Sequence, residues 1–235
     1  MMMIQGIDVS VHNGDINWAK VSEFVDFAII RAGYGKTTNQ KDKKYEANYL
    51  ACKQNGIPVG AYWYSYAKNA KEALEEAKAF EQVLYGKQFD LPIFLDIEEK
   101  DSMPNAGEIV DTFCSYLEGK GYYVGVYCSK YYLNTYLNNV TARWAGWVAQ
   151  WAEKCTYSQP YIVWQKSEKG RVEGIAGYVD LDEFCDKETF DRVQRYIHEN
   201  GLNGFTKPVP AEKQEGDRVQ VYINGKCVYD SRTSS

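Results

Sequence analysis

Leu91-Pro92-Ile93-Phe94-Leu95-Asp96-Ile97-Glu98-Glu99 opens as an apolar strand and closes in acid. A short, near-continuous apolar run of this kind reads as a strand buried on both faces, as in parallel sheets covered by helices. On a strand, residues two apart point to the same side. Asp96 and Glu98 then share a face, with Cα atoms roughly 7 Å apart at a rise of about 3.3 Å per residue. Carboxyls gathered at the end of an apolar strand cost desolvation and mutual repulsion unless something uses them. The plain alternative is a solvated strand end or an acid cluster paired with arginine.

Seven further runs flank this one. Ile4 to Val9, Phe24 to Arg31 and Ile57 to Tyr64 precede it; Tyr122 to Tyr127, Trp144 to Trp151, Tyr161 to Gln165 and Tyr178 to Leu181 follow. Helical patterns fill several gaps. Lys41 to Gln54 stops before Gly56. Asn69 to Tyr85 joins a candidate N-cap to Glu72 three residues on and stops at Gly86, and Asn105 to Glu118 repeats that logic with Glu108 and Gly119. Tyr131 to Leu137 is a shorter candidate, and Asp186 to Asn200 starts on an acidic cap and stops at Gly201. Strands alternating with helices imply βα units and a mainly parallel sheet, and about eight strands predict closure into a barrel. The later connections are too short or too polar for full helices. The expected fold is therefore α/β, an irregular TIM-like (β/α) barrel of mostly parallel strands over residues 1–204.

The character changes after Gly204. Residues 205–216 are polar with two prolines and read as a linker. Within 217–235, Val219 to Ile223 and Lys226 to Asp230 flank Asn224-Gly225, the strongest short signal for a β-hairpin. A lone hairpin is marginal in water. This one is expected to dock on the barrel, to mediate self-association, or to begin a further module cut off at Ser235.

Composition narrows the function. The 235 residues carry a net charge of −5 and no basic run, which argues against a nucleic-acid partner. The 20 Tyr and 6 Trp supply flat faces with polar edges, suited equally to cores, interfaces and sugar rings. Cysteines at 52, 114, 128, 155, 185 and 227 form no CxxC, and only His12 and His198 could join them, so no zinc site is expected. Their scatter reads as reduced, mostly buried thiols from a cytosolic site of synthesis. Met1-Met2-Met3-Ile4-Gln5-Gly6 lacks the basic-then-apolar pattern of a Sec-type signal, and no stretch is long enough to insert in a membrane. Action outside the cell would need something else to release it.

In α/β barrels the chemistry sits at the C-terminal ends of the strands. There the first run delivers Asp8 and Ser10, the second Arg31, and the third Tyr62, Tyr64 and Tyr66. The fourth delivers Asp96 and Glu98, the fifth Tyr127, and the sixth Trp147, Gln150 and Trp151. The seventh delivers Trp164 and Gln165, and the eighth Asp180 and Asp182. Acids from runs one, four and eight converge on one axis with aromatics between them. Each has a bland alternative: Asp8 as a turn cap, Arg31 as a surface ion pair, the tyrosines as core. A carboxyl pair at this spacing is on the scale that flanks one glycosidic bond.

The motifs Gly6-Ile7-Asp8-Val9-Ser10, Ala28-Ile29-Ile30-Arg31-Ala32-Gly33-Tyr34-Gly35, Gly60-Ala61-Tyr62-Trp63-Tyr64, Phe94-Leu95-Asp96-Ile97-Glu98, Gly125-Val126-Tyr127, Trp164-Gln165 and Val179-Asp180-Leu181-Asp182 resemble glycoside hydrolase family 25. These are the Chalaropsis-type lysozymes, or N-acetylmuramidases, common among phage endolysins. The resemblance runs in order over residues 4–200. It departs at Trp63, where members often have His, and at Asp182, where many have Asn. It implies hydrolysis of the β-1,4 bond between N-acetylmuramic acid and N-acetylglucosamine in bacterial peptidoglycan, with no metal, nucleotide or redox cofactor. Glu98 would be the general acid. Asp96 would stay ionised and stabilise the positive charge on a substrate-assisted, retaining path; direct inversion through water activated by Asp8 or Asp180 is the alternative. Asp8 and Asp180 would shape the field, Tyr62, Tyr64, Tyr127 and Trp151 would meet sugar, and Arg31 and Gln165 would hold Asp96 or Asp8. Of the last pair of acids, Asp180 matches the motif and is preferred over Asp182 for the cleft. The rival functions are a non-catalytic sugar-binding module and a chitin-type hexosaminidase on the same barrel.

Overall fold

The computed structural model describes residues 3–206 and the backbones of Gln220–Ile223 and Lys226–Asp230. Eight strands close a barrel in chain order: β1 (Gln5–Val9), β2 (Phe27–Tyr34), β3 (Val59–Tyr64), β4 (Ile93–Asp96), β5 (Val124–Ser129), β6 (Ala145–Ala149), β7 (Val163–Gly170) and β8 (Val179–Phe184). Neighbours from β1 to β7 pair in parallel. β8 runs antiparallel to both β7 and β1. This corrects the expectation that Asp180 and Asp182 sit at the far end of a parallel strand. Only residues 171–178 join β7 to β8, whereas a parallel return needs a crossover of about a dozen residues or more. Because β8 is reversed, its start lies at the mouth where the other strands end, and Asp180 reaches the site from there.

The helices are α1 (Trp18–Val21), α2 (Tyr45–Gln54), α3 (Ala70–Leu84), α4 (Ala106–Glu118), α5 (Lys130–Thr135), α6 (Val140–Arg143) and α7 (Lys187–Asn200). The long ones begin and end where local chemistry dictates. Asn69 accepts the Glu72 N–H at 3.1 Å at the start of α3, Asp186 accepts the Thr189 N–H at 2.6 Å at the start of α7, and Gly201 closes α7 at φ 63°. Asn105 does not cap α4 as expected. Its amide instead donates to the Lys68 carbonyl at 2.8 Å, tying the loop after β4 to the loop after β3. Gly119 does not provide a left-handed stop either (φ −62°); the left-handed residue comes two later, at Gly121 (φ 85°).

Apolar residues fill two separate layers. Trp63, Phe80, Phe113 and the outward faces of the strands pack under the helices. Phe27, Ile29, Phe94, Trp147, Val163 and Phe184 fill the barrel itself, each such burial contributing about 1.5–3 kcal/mol. Two glycines make the inner filling fit. A Cβ at Gly6 would lie 2.4 Å from the Phe27 ring, and one at Gly125 would lie 2.4 Å from the Phe94 ring. Above these rings Tyr64, Asp96, Tyr127 and Trp147 follow one another in register across four strands. At this level the barrel interior changes from apolar to polar.

Cys52, Cys114 and Cys128 are buried, Cys155 is half-buried and Cys185 is exposed, all as free thiols. Gln220–Ile223 and Lys226–Asp230 pair antiparallel as a separate two-stranded sheet. Residues 207–219 of the expected linker and hairpin, and Asn224-Gly225 between the strands, lie outside the described residues.

Candidate active site

β4 presents Asp96 as its last residue and is opposed across the barrel by β8 and β1. Glu98 lies just past the strand rather than on it, on the extended segment that follows. The Ile97 N–H still donates to the Tyr127 carbonyl at 3.1 Å, which holds this segment along β5. Asp96 is buried, and its Oδ1 has no hydrogen-bond partner. Burial first, then the Glu98 charge, pushes the Asp96 carboxyl well above the usual carboxylate range, while the Arg31 guanidinium pulls the other way. Burial and Glu98 thus oppose, and Arg31 supports, the ionised Asp96 expected from sequence. Glu98 is half-buried. Burial, Glu99 and Asp180 raise it, against a lowering influence from Tyr64. The Tyr64 hydroxyl itself donates to Glu99 at 2.8 Å.

Asp8, Asp180 and Asp182 form a second group. The β1–β8 register sets Asp8 opposite Asp180 and Gly6 opposite Asp182, so all three carboxyls point into the barrel. Burial chiefly raises Asp8 well above normal, with Asp182 and Asp180 adding to it. Asp180, mainly through partial burial, is raised to about 6, and Asp182, fully buried, to about 8. Asp182 Oδ1 accepts the Trp147 indole N–H at 2.8 Å, while its Oδ2 is buried with no hydrogen-bond partner, close enough to Asp8 for each acid to act on the other. Asp182 therefore lies on the barrel floor, beneath Asp180.

Gln165 links this group to the aromatic rim. Its amide donates to Asp8 at 2.8 Å, and its oxygen accepts from the Tyr127 hydroxyl at 3.0 Å and the Trp151 indole at 3.2 Å. Arg31 does not bind Asp96 or Asp8. Its Nε donates to Asp42 at 2.8 Å, and Asp42 also takes the Val11 N–H at 3.0 Å. Arg31 acts on Asp96 through its field alone. The aromatics divide by exposure. Tyr62 and Tyr127, each 8% exposed, lie against Trp147 with centroids 5.8 and 4.5 Å away, so they offer edges to the mouth. Trp151 is 58% exposed and Tyr64 is half-buried, leaving ring surface for a ligand. Ser10 caps the turn Val11–Asn13, accepting the His12 N–H at 3.2 Å. Gln150 pins Thr156, and Tyr66 stands 46% exposed at the edge.

The reading by strand ends missed Asp42 and Glu99 as site residues and did not foresee Trp147 as the floor to which the tyrosines and Asp182 attach. Glu99 was legible only as the neighbour of Glu98.

Residues 7–175 match the family described as Glycosyl hydrolases family 25. Over 201 residues the chain is 33% identical to lysozyme M1 of Streptomyces globisporus, covering 77% of this chain and 67% of that protein. Over 187 residues it is 29% identical to the autolytic lysozyme of Clostridium acetobutylicum; this covers 78% of the chain but only 56% of that relative's length. The solved lysozyme of Streptomyces coelicolor superposes with a TM-score of 0.71 at 28% identity, over 83% of this chain and 97% of that one. The modular autolysin LytC of Streptococcus pneumoniae, also solved with a synthetic peptidoglycan ligand, gives 0.69 at 28% identity over 77% of this chain and 46% of its own.

Proposed function

The chain belongs to glycosyl hydrolases family 25, and from that premise we propose that it is a lysozyme cleaving the β-1,4 bond between N-acetylmuramic acid and N-acetylglucosamine in bacterial peptidoglycan. The observation that carries this reading is the Asp96/Glu98 pair at the mouth. One carboxyl is half-exposed and raised above its ordinary value by burial; the other is buried with an oxygen that lacks a donor. Pure binding needs neither feature.

Glu98 serves as general acid. Kept protonated by burial and by its acidic neighbours, it donates its proton to the leaving glycosidic oxygen as that bond breaks. Asp96 Oδ1 accepts the N–H of the sugar's 2-acetamido group, satisfying the orphan acceptor and turning the acetamido oxygen toward the anomeric carbon. That oxygen attacks, an oxazolinium-like intermediate forms, and the negative charge that Arg31 favours on Asp96 stabilises it. Water deprotonated by Glu98 then opens the intermediate, giving net retention. Asp8, Asp180 and Gln165 fix the floor beneath the sugar, and Trp151 and Tyr64 meet its rings. Among the described residues no helix is long and apolar enough to cross a membrane. The site of action is the wall.

The test is lysis of purified peptidoglycan with mass analysis of the new reducing ends. Wild type is expected to leave muramic acid at those ends, with the retained anomer formed first. Glu98→Gln should lose about 10²–10⁴ in rate with its fold intact. Normal lysis by Glu98→Gln overturns the acid assignment. N-acetylglucosamine at the new ends, or equal cleavage of soluble chitin oligomers, overturns the choice of bond.

A further inference from the structure

A pocket of about 640 Å³ opens beside the catalytic mouth, between the ends of β1, β2 and β3 and the segment 39–43. Its size is typical of small-molecule and short-peptide sites rather than of a surface dimple. Arg31 and Tyr64 belong both to its wall and to the surroundings of Asp96 and Glu98.

The lining has a charge opposite to that of the mouth. Arg31, Lys41 and Lys43 face one carboxylate, Asp42, in a chain whose net charge is −5. Arg31 and Asp42 neutralise one another at 2.8 Å. Lys41 meets Glu46 at 3.1 Å, but both are exposed, so water screens that pair. Lys44 next door pairs with Asp15, whereas Lys43, exposed, makes no ion pair with any described residue. The opposite wall is aromatic. Tyr34 (37% exposed) and Tyr66 meet edge-on at 6.1 Å, and Tyr66 lies 5.0 Å from Tyr64. The unpaired Lys43 and the weakly paired, exposed Lys41, together with exposed tyrosine rings, suit a short chain that carries carboxylates along with apolar side chains.

Across the Arg31–Tyr64 wall the sign reverses. Asp96, Glu98 and Glu99 crowd the mouth there, and those of them that are ionised repel an anionic part of a substrate. A substrate built of an uncharged sugar and an acidic appendage therefore has one favoured pose, with the sugar over the acids and the appendage in the basic pocket. Because the two compartments share a wall, the appendage must hang from the saccharide that is cut.

We propose that this pocket receives the carboxylate-bearing peptide stem of the muramic acid residue, and that the enzyme consequently prefers peptide-substituted glycan to bare glycan. This rests on the muramidase reading above and adds a specificity determinant to it.

The test compares kcat/KM on teichoic-acid-free glycan strands carrying intact stems with the same strands stripped by an amidase. Wild type is expected to favour the stem-bearing strands, less so as salt rises. In Lys41→Glu/Lys43→Glu the ratio of the two values should fall about tenfold through KM, as two attractions become repulsions. Lys43→Arg should keep the ratio. An equal preference in wild type, or an unmoved ratio in the double variant, overturns the proposal. A ratio that rises, because the stripped strands with their free lactyl carboxylate suffer more, reassigns the pocket to that carboxylate and also overturns it. If wild type cuts neither strand, the muramidase reading fails. The pocket is then judged on binding alone, with Glu98→Gln and calorimetry on both strands, where equal affinities overturn it.

Discussion

Asp96 and Glu98 on one side of the barrel mouth and Asp8, Asp180 and Asp182 on the other are the same chemistry under the same pressure. Burial is the first cause of the upward shift in all five. Their partners differ. In the second group Gln165 donates to Asp8 and Trp147 donates to Asp182, so that only one buried oxygen, Asp182 Oδ2, is left without a partner on the floor. In the first, Asp96 Oδ1 is buried with nothing to accept from, and no described side chain donates to Glu98, the Tyr64 hydroxyl going to Glu99 instead. The more closed group can be a foundation, because donors to both Asp8 and Asp182 are in place when the site is empty. The open one stays costly until a ligand supplies the missing donor. The difference assigns the chemistry to β4 and the support to β1 and β8.

The hardest blow to this comparison would come from Asp96→Asn. The amide keeps the shape but cannot carry the compensating charge, so turnover should fall about 10²–10³-fold, the scale of losing one preorganised electrostatic contact. Binding of an uncleaved fragment should weaken much less. Initial rates near wild type would mean that the orphan oxygen is not waiting for substrate, and the contrast between the two groups would collapse.

Gln165→Leu probes the closed side. It removes the donor to Asp8 and the acceptor for Tyr127 and Trp151. Two of those groups are buried, and leaving each unpaired costs about 1–3 kcal/mol. Urea unfolding should therefore show a loss of about 2–6 kcal/mol, together with a fall in activity smaller than that of Asp96→Asn. Unchanged stability would mean that water replaces the glutamine and that the network is not closed.

All eight strands and the main helices were legible because buried parallel strands are written as short apolar runs, and Asn69, Asp186 and Gly201 mark helix ends with local chemistry. The direction of β8 was not legible: alternation of strands and helices suggested a mostly parallel barrel, and only the extension of β7 to Gly170 leaves a connection too short for a parallel return. Asp42 gave no sign. It stands in Lys41-Asp42-Lys43-Lys44, a stretch that reads as solvated surface, and only the tertiary fold turns its carboxylate inward to take Arg31 and the Val11 N–H. Glu98 was placed on the correct strand end, but the fold holds it one step beyond the ladder. Asn105 carries the residue type of a cap, yet the nearby Lys68 carbonyl competes for it. Burial patterns are periodic and survive in one dimension; pairings between distant loops are not.

Asp182→Asn tests the foundation at its most buried point. In the folded protein Asp182 holds its proton up to about 8, against an ordinary 3.8. Between those values the folded chain binds a proton that the unfolded chain has released. Stability therefore falls as pH rises from about 4 to about 8 and levels off above, by on the order of a few kcal/mol at most. Asparagine has nothing to titrate, and its amide can donate to Asp8 at every pH while its oxygen keeps the Trp147 bond. The variant should show a visibly flatter curve of urea midpoint against pH, with the residual slope belonging to Asp8 and Asp180, and should gain on wild type most at pH 8. Parallel curves for the two proteins would move the buried proton off Asp182 and onto Asp8, leaving the floor of the site built around a different acid.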